Sequence, residues 1–143
     1  MKIVLASESP LRKRAMDLIG LPYETRPSRI DEKAIRHDDP AELTRQLAEA
    51  KALAIASEHP NSVIVSGDAV AAQGSNIFEK PRDKNEAKDF LKQLSGSHFQ
   101  FVTSVAVLNT LKNTGCSRRS RPPTSSSALC STARFSNTSN TMC

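Results

Sequence analysis

Ser7, Ser9 and Arg12 fall within six positions of one another, just after the apolar run at residues 3–6 begins to close. Two hydroxyls and a guanidinium at that spacing can grip an oxyanion if the backbone turns there. Pro10 follows Ser9, and proline suits the first position of a helix, where its missing N–H costs nothing. The stretch therefore reads as a strand, a tight turn and a helix N-terminus, with Ser9 at the N-cap. Such a turn presents free backbone N–H groups and the positive end of the helix dipole, and phosphate is the natural guest. The alternative is an ordinary capped helix with a basic, solvated first turn. Basic residues at a helix start oppose the dipole, however, and need a reason.

A second group lies further along. Ser62-Val63-Ile64-Val65-Ser66-Gly67 is the strongest strand signal in the chain. It is apolar on both faces, as a central strand of an α/β sheet would be. Asp68 follows at its C-terminal end, the edge at which open α/β sheets bind ligands. A carboxylate there can hold a metal or act as a general base. The alternative is a turn aspartate ahead of the Gln73-Gly74-Ser75-Asn76 turn. Lys51 stands four residues after Leu47, beside the apolar face of a predicted helix. It either reaches a site at the sheet or snorkels to the surface. Lys80 and Arg82 add two cations in a short strand or loop at 77–82.

The elements that must carry these groups follow from periodicity and caps. A helix is predicted over 10–19, with Leu11, Ala15, Leu18 and Ile19 as its buried stripe and Gly20 as its stop. Residues 21–25 read as a short edge strand because of Pro22, and 28–32 as a polar loop. Asp39, Pro40 and Glu42 open a second helix with a capping box. It is predicted to run to about residue 58, burying Leu43, Leu47, Ala50 and Ala54. Asp83 caps a third helix with Glu86 as box partner, a stripe of Ala87, Phe90, Leu91 and Leu94, and a stop at Gly96. Residues 99–108 form a long strand, with Phe99, Phe101, Val102, Val105 and Val107 as its apolar positions. Strands and helices thus alternate into a layered α/β domain with a mixed central sheet.

Composition changes near residue 113. Residues 113–143 hold four Arg and no Asp or Glu, whereas residues 1–112 hold sixteen Lys and Arg against fifteen acidic residues. The basic balance belongs mostly to the tail and argues little for a nucleic-acid partner. All three cysteines, Cys116, Cys130 and Cys143, are also there, in no metal-binding or disulfide spacing. The tail has isolated apolar residues without period and reads as disordered. The sudden rise of Ser, Thr, Arg and Pro also suggests translation out of frame. The expected organisation is a folded portion at 1–112 and a Ser/Thr/Arg-rich tail at 113–143. No leader or membrane-length apolar run is read in the chain, so a cytoplasmic, membrane-free protein is expected.

Leu5-Ala6-Ser7-Glu8-Ser9-Pro10-Leu11-Arg12 resembles the amino-terminal signature of the Maf family of nucleotide pyrophosphatases. Asp31-Glu32, Leu47-Ala48-Glu49-Ala50-Lys51-Ala52, Gly67-Asp68-Ala69-Val70, Glu79-Lys80-Pro81-Arg82-Asp83 and Leu94-Ser95-Gly96 follow in that family's order and spacing, over roughly residues 2–110. The resemblance implies an α/β sandwich with a cleft, similar to that of inosine triphosphate pyrophosphatases. It implies hydrolysis of a pyrimidine or modified nucleoside triphosphate between the α and β phosphates, with Mg2+ or Mn2+, and a link to restraint of septum formation. Carried over, Ser7, Ser9 and Arg12 bind phosphate, and Lys51 and Lys80 neutralise it. Glu32 and Asp68 belong to the metal and water site, with Asp68 as general base. A homodimer is also implied.

Two positions depart from the family pattern. Leu11 stands where Arg or an aromatic residue is usual, and Ala69 where Thr or Gln is usual, so base preference is left open. The family's second half, an Ala-Gly-rich segment and a terminal Gly-Leu-Pro motif, has no counterpart after Thr114. The expectation is a missing C-terminal lobe and a truncated enzyme of reduced or absent turnover. The alternative is a non-catalytic nucleotide-binding remnant with a basic interaction tail.

Overall fold

A computed structural model describes residues 1–111 in full and the backbone of residues 128–137. The chain runs β1 (Lys2–Leu5), α1 (Pro10–Ile19), β2 (Glu24–Thr25), α2 (Pro40–Ala54), β3 (Ser62–Gln73), β4 (Asn76–Phe78), α3 (Lys84–Leu94), β5 (Phe99–Asn109) and β6 (Ala128–Asn137). Short 3-10 turns lie at Glu32–Ala34 and Ala56–Glu58. The strands form one mixed sheet in the order β2-β1-β3-β5-β6, with β4 paired to β3. β1 is parallel to β2 and β3, and the remaining pairs are antiparallel. The layered α/β reading with a mixed central sheet is the observed architecture.

The two parallel crossovers place the helices. β1–α1–β2 steps one way along the sheet and β2–α2–β3 steps back, so with the usual right hand α1 and α2 lie on opposite faces. The α2 face carries the core. Val4, Ala6, Ala52, Ile55, Ile64 and Leu108 form one buried cluster there. Beside it, Leu43, Leu47 and Ala48 of α2, together with Val102 and Ala106 of β5, are buried. Burial at about 25 cal/mol per Å2 of apolar surface is what holds this layer.

β3 is longer than the run of β-branched residues suggests. It continues through Asp68 to Gln73 because β5 supplies antiparallel partners along Val63–Ala72 and β4 folds back from a Gly74-Ser75 turn. Gly74 has φ 58°, the left-handed conformation that such two-residue turns demand. Asp68 is therefore inside a strand, not at its end. The ligand-binding edge survives in another form. β1 stops at Leu5, opposite Val65, so β3 emerges beyond the parallel part of the sheet three residues before Asp68.

Several expected buried faces are open. Leu11, Leu18 and Ile19 of α1 are 78%, 84% and 60% exposed, and Met16 is the buried residue of that helix. Periodicity shows that a face is apolar, but it does not supply the layer that covers it. On β5 the residues facing α2 are Val102, Ser104, Ala106 and Leu108, while Phe101, Val105 and Val107 point the other way and are exposed. α3 docks on its hairpin through an edge-to-face contact of Phe90 on Phe78, with ring centroids 5.1 Å apart, and Leu91 stays exposed. α2 ends at Ala54, and Ala54 is exposed while Lys51 and Ala52 are buried.

The caps also differ in detail. Ser9 has N-cap backbone geometry but makes no side-chain cap bond. Asp39 and Asp83 cap as expected, accepting from Ala41 N and from Asn85 and Glu86 N. The acidic box partners bind elsewhere, Glu86 reaching back past the cap to accept from Arg82 N. Glu42 binds Arg45 and Gln46, which holds its carboxyl down at about 2, and Glu86 binds Arg82. Ala128–Asn137, expected as part of a disordered tail, is the strand β6 paired along Phe99–Leu108 of β5. Edge backbone groups accept any partner that is extended, without needing an apolar period. The rest of the tail lies outside the described residues.

Candidate functional site

Ser7, Ser9, Arg12, Glu32, Lys51, Asp68 and Lys80 line one cleft of about 890 Å3. The structure thus gathers into one place the residues expected to bind phosphate, metal and water, while Arg82, read as a further cation, lies outside the lining and pairs with Glu86. That volume suits a nucleotide-sized ligand.

The floor is built by two adjacent residues of β3 that point to opposite faces. Asp68 faces α2, and its Oδ1 accepts a hydrogen bond from Lys51 Nζ at 2.7 Å. Lys51 is 6% exposed and Asp68 8%, so the lysine does not snorkel. Lys51 Nζ also lies 3.2 Å from Glu32 Oε1, at the start of the 3-10 turn. Burial pushes the Asp68 carboxyl above the usual carboxylate range. Lys51 and, more distantly, Arg12 pull it down, and Glu32 pushes it up.

Gly67 faces α1. A Cβ there would stand 3.0 Å from Ser104 O and 3.3 Å from Arg12 Nε. Glycine therefore lets the Arg12 side chain lie against the strand. Arg12 Nη1 donates to Ser7 Oγ at 3.3 Å, and the same oxygen accepts from Ser9 N at 3.2 Å. Ser7 is buried, and the turn is tied to β3 by Ala6 N donating to Val65 O at 2.7 Å. Here the Ser9 contribution is its backbone N–H, spent inside the turn.

Polar contacts lock α2 onto the sheet beneath the cleft. Ser66 Oγ donates to Ala48 O at 2.5 Å, one turn of α2 before Lys51. Thr44 Oγ1 and Ser104 Oγ share a hydrogen bond of 2.8 Å, and Ser104 stands directly opposite Asp68 across the β3–β5 pair. Thr103 Oγ1 donates to Asp68 O at 3.0 Å.

Sequence reasoning missed part of the lining. Arg29 and Ile30 come from a loop read simply as polar, Lys33 follows just beyond it, and nothing in spacing tells where such a loop lies. Leu47 carried a signal, since it lies one turn before Lys51. Glu79 also lines the cleft but is held by Arg36 at 2.8 Å. Arg12, Arg29, Lys33 and Lys80 form no ion pair among the described residues.

The metal expectation falls on Glu32 and Asp68. Among the described residues no group of three or more His, Cys, Asp or Glu side chains could hold an ion alone. Glu32 and Asp68 converge instead on Lys51. Mg2+ is commonly held by one or two carboxylates with substrate phosphates and waters completing the shell. Two carboxylates beside a cationic cleft fit that donor set.

The family model described as "Maf-like protein" matches residues 2–141. The chain belongs to the Maf-like family. The match runs past residue 110, where the motifs recognised from the sequence stop. Among curated relatives, a dTTP/UTP pyrophosphatase of Bacillus velezensis is 37% identical over 106 residues, 74% of this chain and 56% of that one. A 7-methyl-GTP pyrophosphatase of Alcanivorax borkumensis is 37% identical over 108 residues, 76% and 55% of the two chains. A nucleoside triphosphate pyrophosphatase of Synechococcus is 38% identical over 112 residues, 78% and 57%. The chain spans about half the length of the curated relatives it matches. The fold also resembles a solved nucleoside-triphosphatase / dITP/XTP pyrophosphatase of Mycobacterium abscessus, with TM-score 0.52 and 14% identity over 95% of this chain and 73% of that one. No helix among the described residues is long and apolar enough to cross a membrane.

Proposed function

We propose that the cleft binds a nucleoside triphosphate and hydrolyses its α–β anhydride to a nucleoside monophosphate and pyrophosphate. The observation that carries this reading is the division of charge. The buried Lys51 holds both carboxylates, while Arg12, Arg29, Lys33 and Lys80 have no ion pairs among the described residues around the same cavity. A polyphosphate is the ligand that such a distribution fits.

In this reading Ser7, Arg12 and the Ser9 hydroxyl orient one phosphate group. Lys80 neutralises charge at the open side. Asp68 accepts a proton from the attacking water, with Lys51 holding the carboxylate in place. The water oxygen forms a bond to phosphorus, the bridging P–O bond breaks, and its electron pair leaves on pyrophosphate. Asp68 suits the role because burial raises its proton affinity while Lys51 opposes that rise. A divalent cation held by Glu32 and Asp68 would supply charge neutralisation on the phosphate oxygens. Mg2+ and Mn2+ are the ions proposed. Base preference is proposed to depend on the lining at Leu11 and Ala69.

A second reading is binding without turnover. It is favoured by the uncovered face of α1, where Leu11, at the cleft, and Leu18 and Ile19 are exposed. Pyrophosphate release from a panel of pyrimidine, purine and 7-methylated nucleoside triphosphates with Mg2+ or Mn2+, beside Asp68→Asn, separates the two. Release that the variant lacks supports hydrolysis. Nucleotide binding by the folded chain without release supports the second reading.

A further inference from the structure

Among the described residues, Arg29 is one of two non-glycine residues with positive φ, at 49°. A long side chain adopts the left-handed region at a cost, and such outliers persist where the surrounding structure imposes them. Asn61, the other, is a residue type that tolerates this region. Arg29 is not, and it lines the cleft.

The loop that carries Arg29 is fixed at both ends to the site. At one end Arg26 N donates to Leu5 O at 2.9 Å, which ties the end of β2 to the end of β1 beside the Ser7 turn. At the other end Glu32 reaches Lys51 at 3.2 Å, and Asp31 Oδ1 accepts from Lys33 N at 3.1 Å. Pro27, Ser28, Ile30 and Lys33 of this loop also line the cavity. The segment is thus an arch from the phosphate-binding turn to the carboxylate pair, with Arg29 between its two supports. Its guanidinium is exposed and has no ion pair among the described residues.

We infer that Arg29 is a further polyphosphate-binding residue, held over the cleft by this arch and aimed by its left-handed backbone. The inference rests on the phosphate-cleft reading above and assigns one more contact to it. A planar guanidinium suits bidentate binding of phosphate oxygens, and its unpaired state leaves it available.

The left-handed backbone supplies the test. Arg29→Gly removes the charge and relieves the backbone, Arg29→Ala removes the charge and keeps the strain, and Arg29→Lys keeps a charge. Each is titrated calorimetrically with inorganic tripolyphosphate at several salt concentrations, beside Arg12→Ala. Thermal melting checks the fold, and Arg29→Gly is expected to melt no lower than the parent chain. Both neutral variants should bind tripolyphosphate roughly tenfold or more weakly and with a shallower salt dependence, while Arg29→Lys keeps most of the affinity. Parent-like binding by Arg29→Gly, with Arg12→Ala impaired, overturns the inference and leaves the cleft reading standing. Parent-like binding by Arg12→Ala as well overturns both.

Discussion

Lys51 Nζ sits 2.7 Å from Asp68 Oδ1 and 3.2 Å from Glu32 Oε1, so one buried ammonium joins α2, β3 and the loop over the cleft. Electrostatics at the site turn on this triad. In the metal-free chain the Asp68 carboxyl should titrate above the usual carboxylate range, read from its 13C carboxyl shift. Lys51→Ala removes a lowering influence and should move that titration further up. Glu32→Gln removes a raising one and should move it down. The native state holds this proton more tightly than the unfolded chain does. Its stabilising contribution is therefore full below the unfolded pKa and is lost as pH rises through the folded one. Identical titrations in all three chains would refute the triad.

Removing the ammonium should also cost stability. Lys51→Ala leaves a buried carboxylate facing Glu32, a change typically worth about 3–5 kcal/mol. The double variant Lys51→Met, Asp68→Asn removes both buried charges and should recover much of that loss in urea unfolding. No recovery would mean that shape, not charge, is what Lys51 supplies.

Gly67 should be sensitive for a reason separate from backbone freedom. Gly67→Ala places a Cβ against Ser104 O and the Arg12 side chain. Tripolyphosphate affinity should fall toward that of Arg12→Ala, measured by calorimetry. Unchanged affinity would show that Arg12 can reach the ligand from another position.

Ser66→Ala tests the seam under the cleft. It removes the hydrogen bond to Ala48 O and should cost about 1 kcal/mol, a usual net value for one buried bond. Because Ala48 lies one turn before Lys51, the Asp68 titration should shift as well. A stability loss with no change in titration would assign Ser66 to packing alone.

The uncovered apolar faces predict association. Leu11, Leu18 and Ile19 of α1 and Phe101, Val105 and Val107 of β5 are exposed large side chains, and surfaces of this kind mark contact sites. Light scattering should show mass rising with concentration, and Leu18→Lys with Ile19→Lys should reduce it. A monomer at all concentrations would count against the homodimer.

Residue types, caps and periodicity located α1, α2 and α3, the Gly74 turn, the Ser7–Arg12 turn as an anion site and Asp68 as a metal ligand or base, and the resemblance to a family joined these with Lys51 and Lys80 into one chemistry. The former rest on local properties: a proline after a serine, an aspartate before a helix. Glu32 entered through resemblance to a family motif, because one acidic residue in a polar loop has no local signature. What the tertiary structure decided was pairing across distance. It put Asp68 inside a strand, because β5 and β4 extend β3 past the end of β1. It buried Lys51 by turning that helix face onto the sheet, and it left the apolar stripe of α1 open. It also brought Arg29 over the cleft by pinning its loop at Leu5 and Lys51. Periodicity reports which face is apolar, but contact, burial and charge pairing depend on which element arrives opposite it, and that is settled by the whole chain.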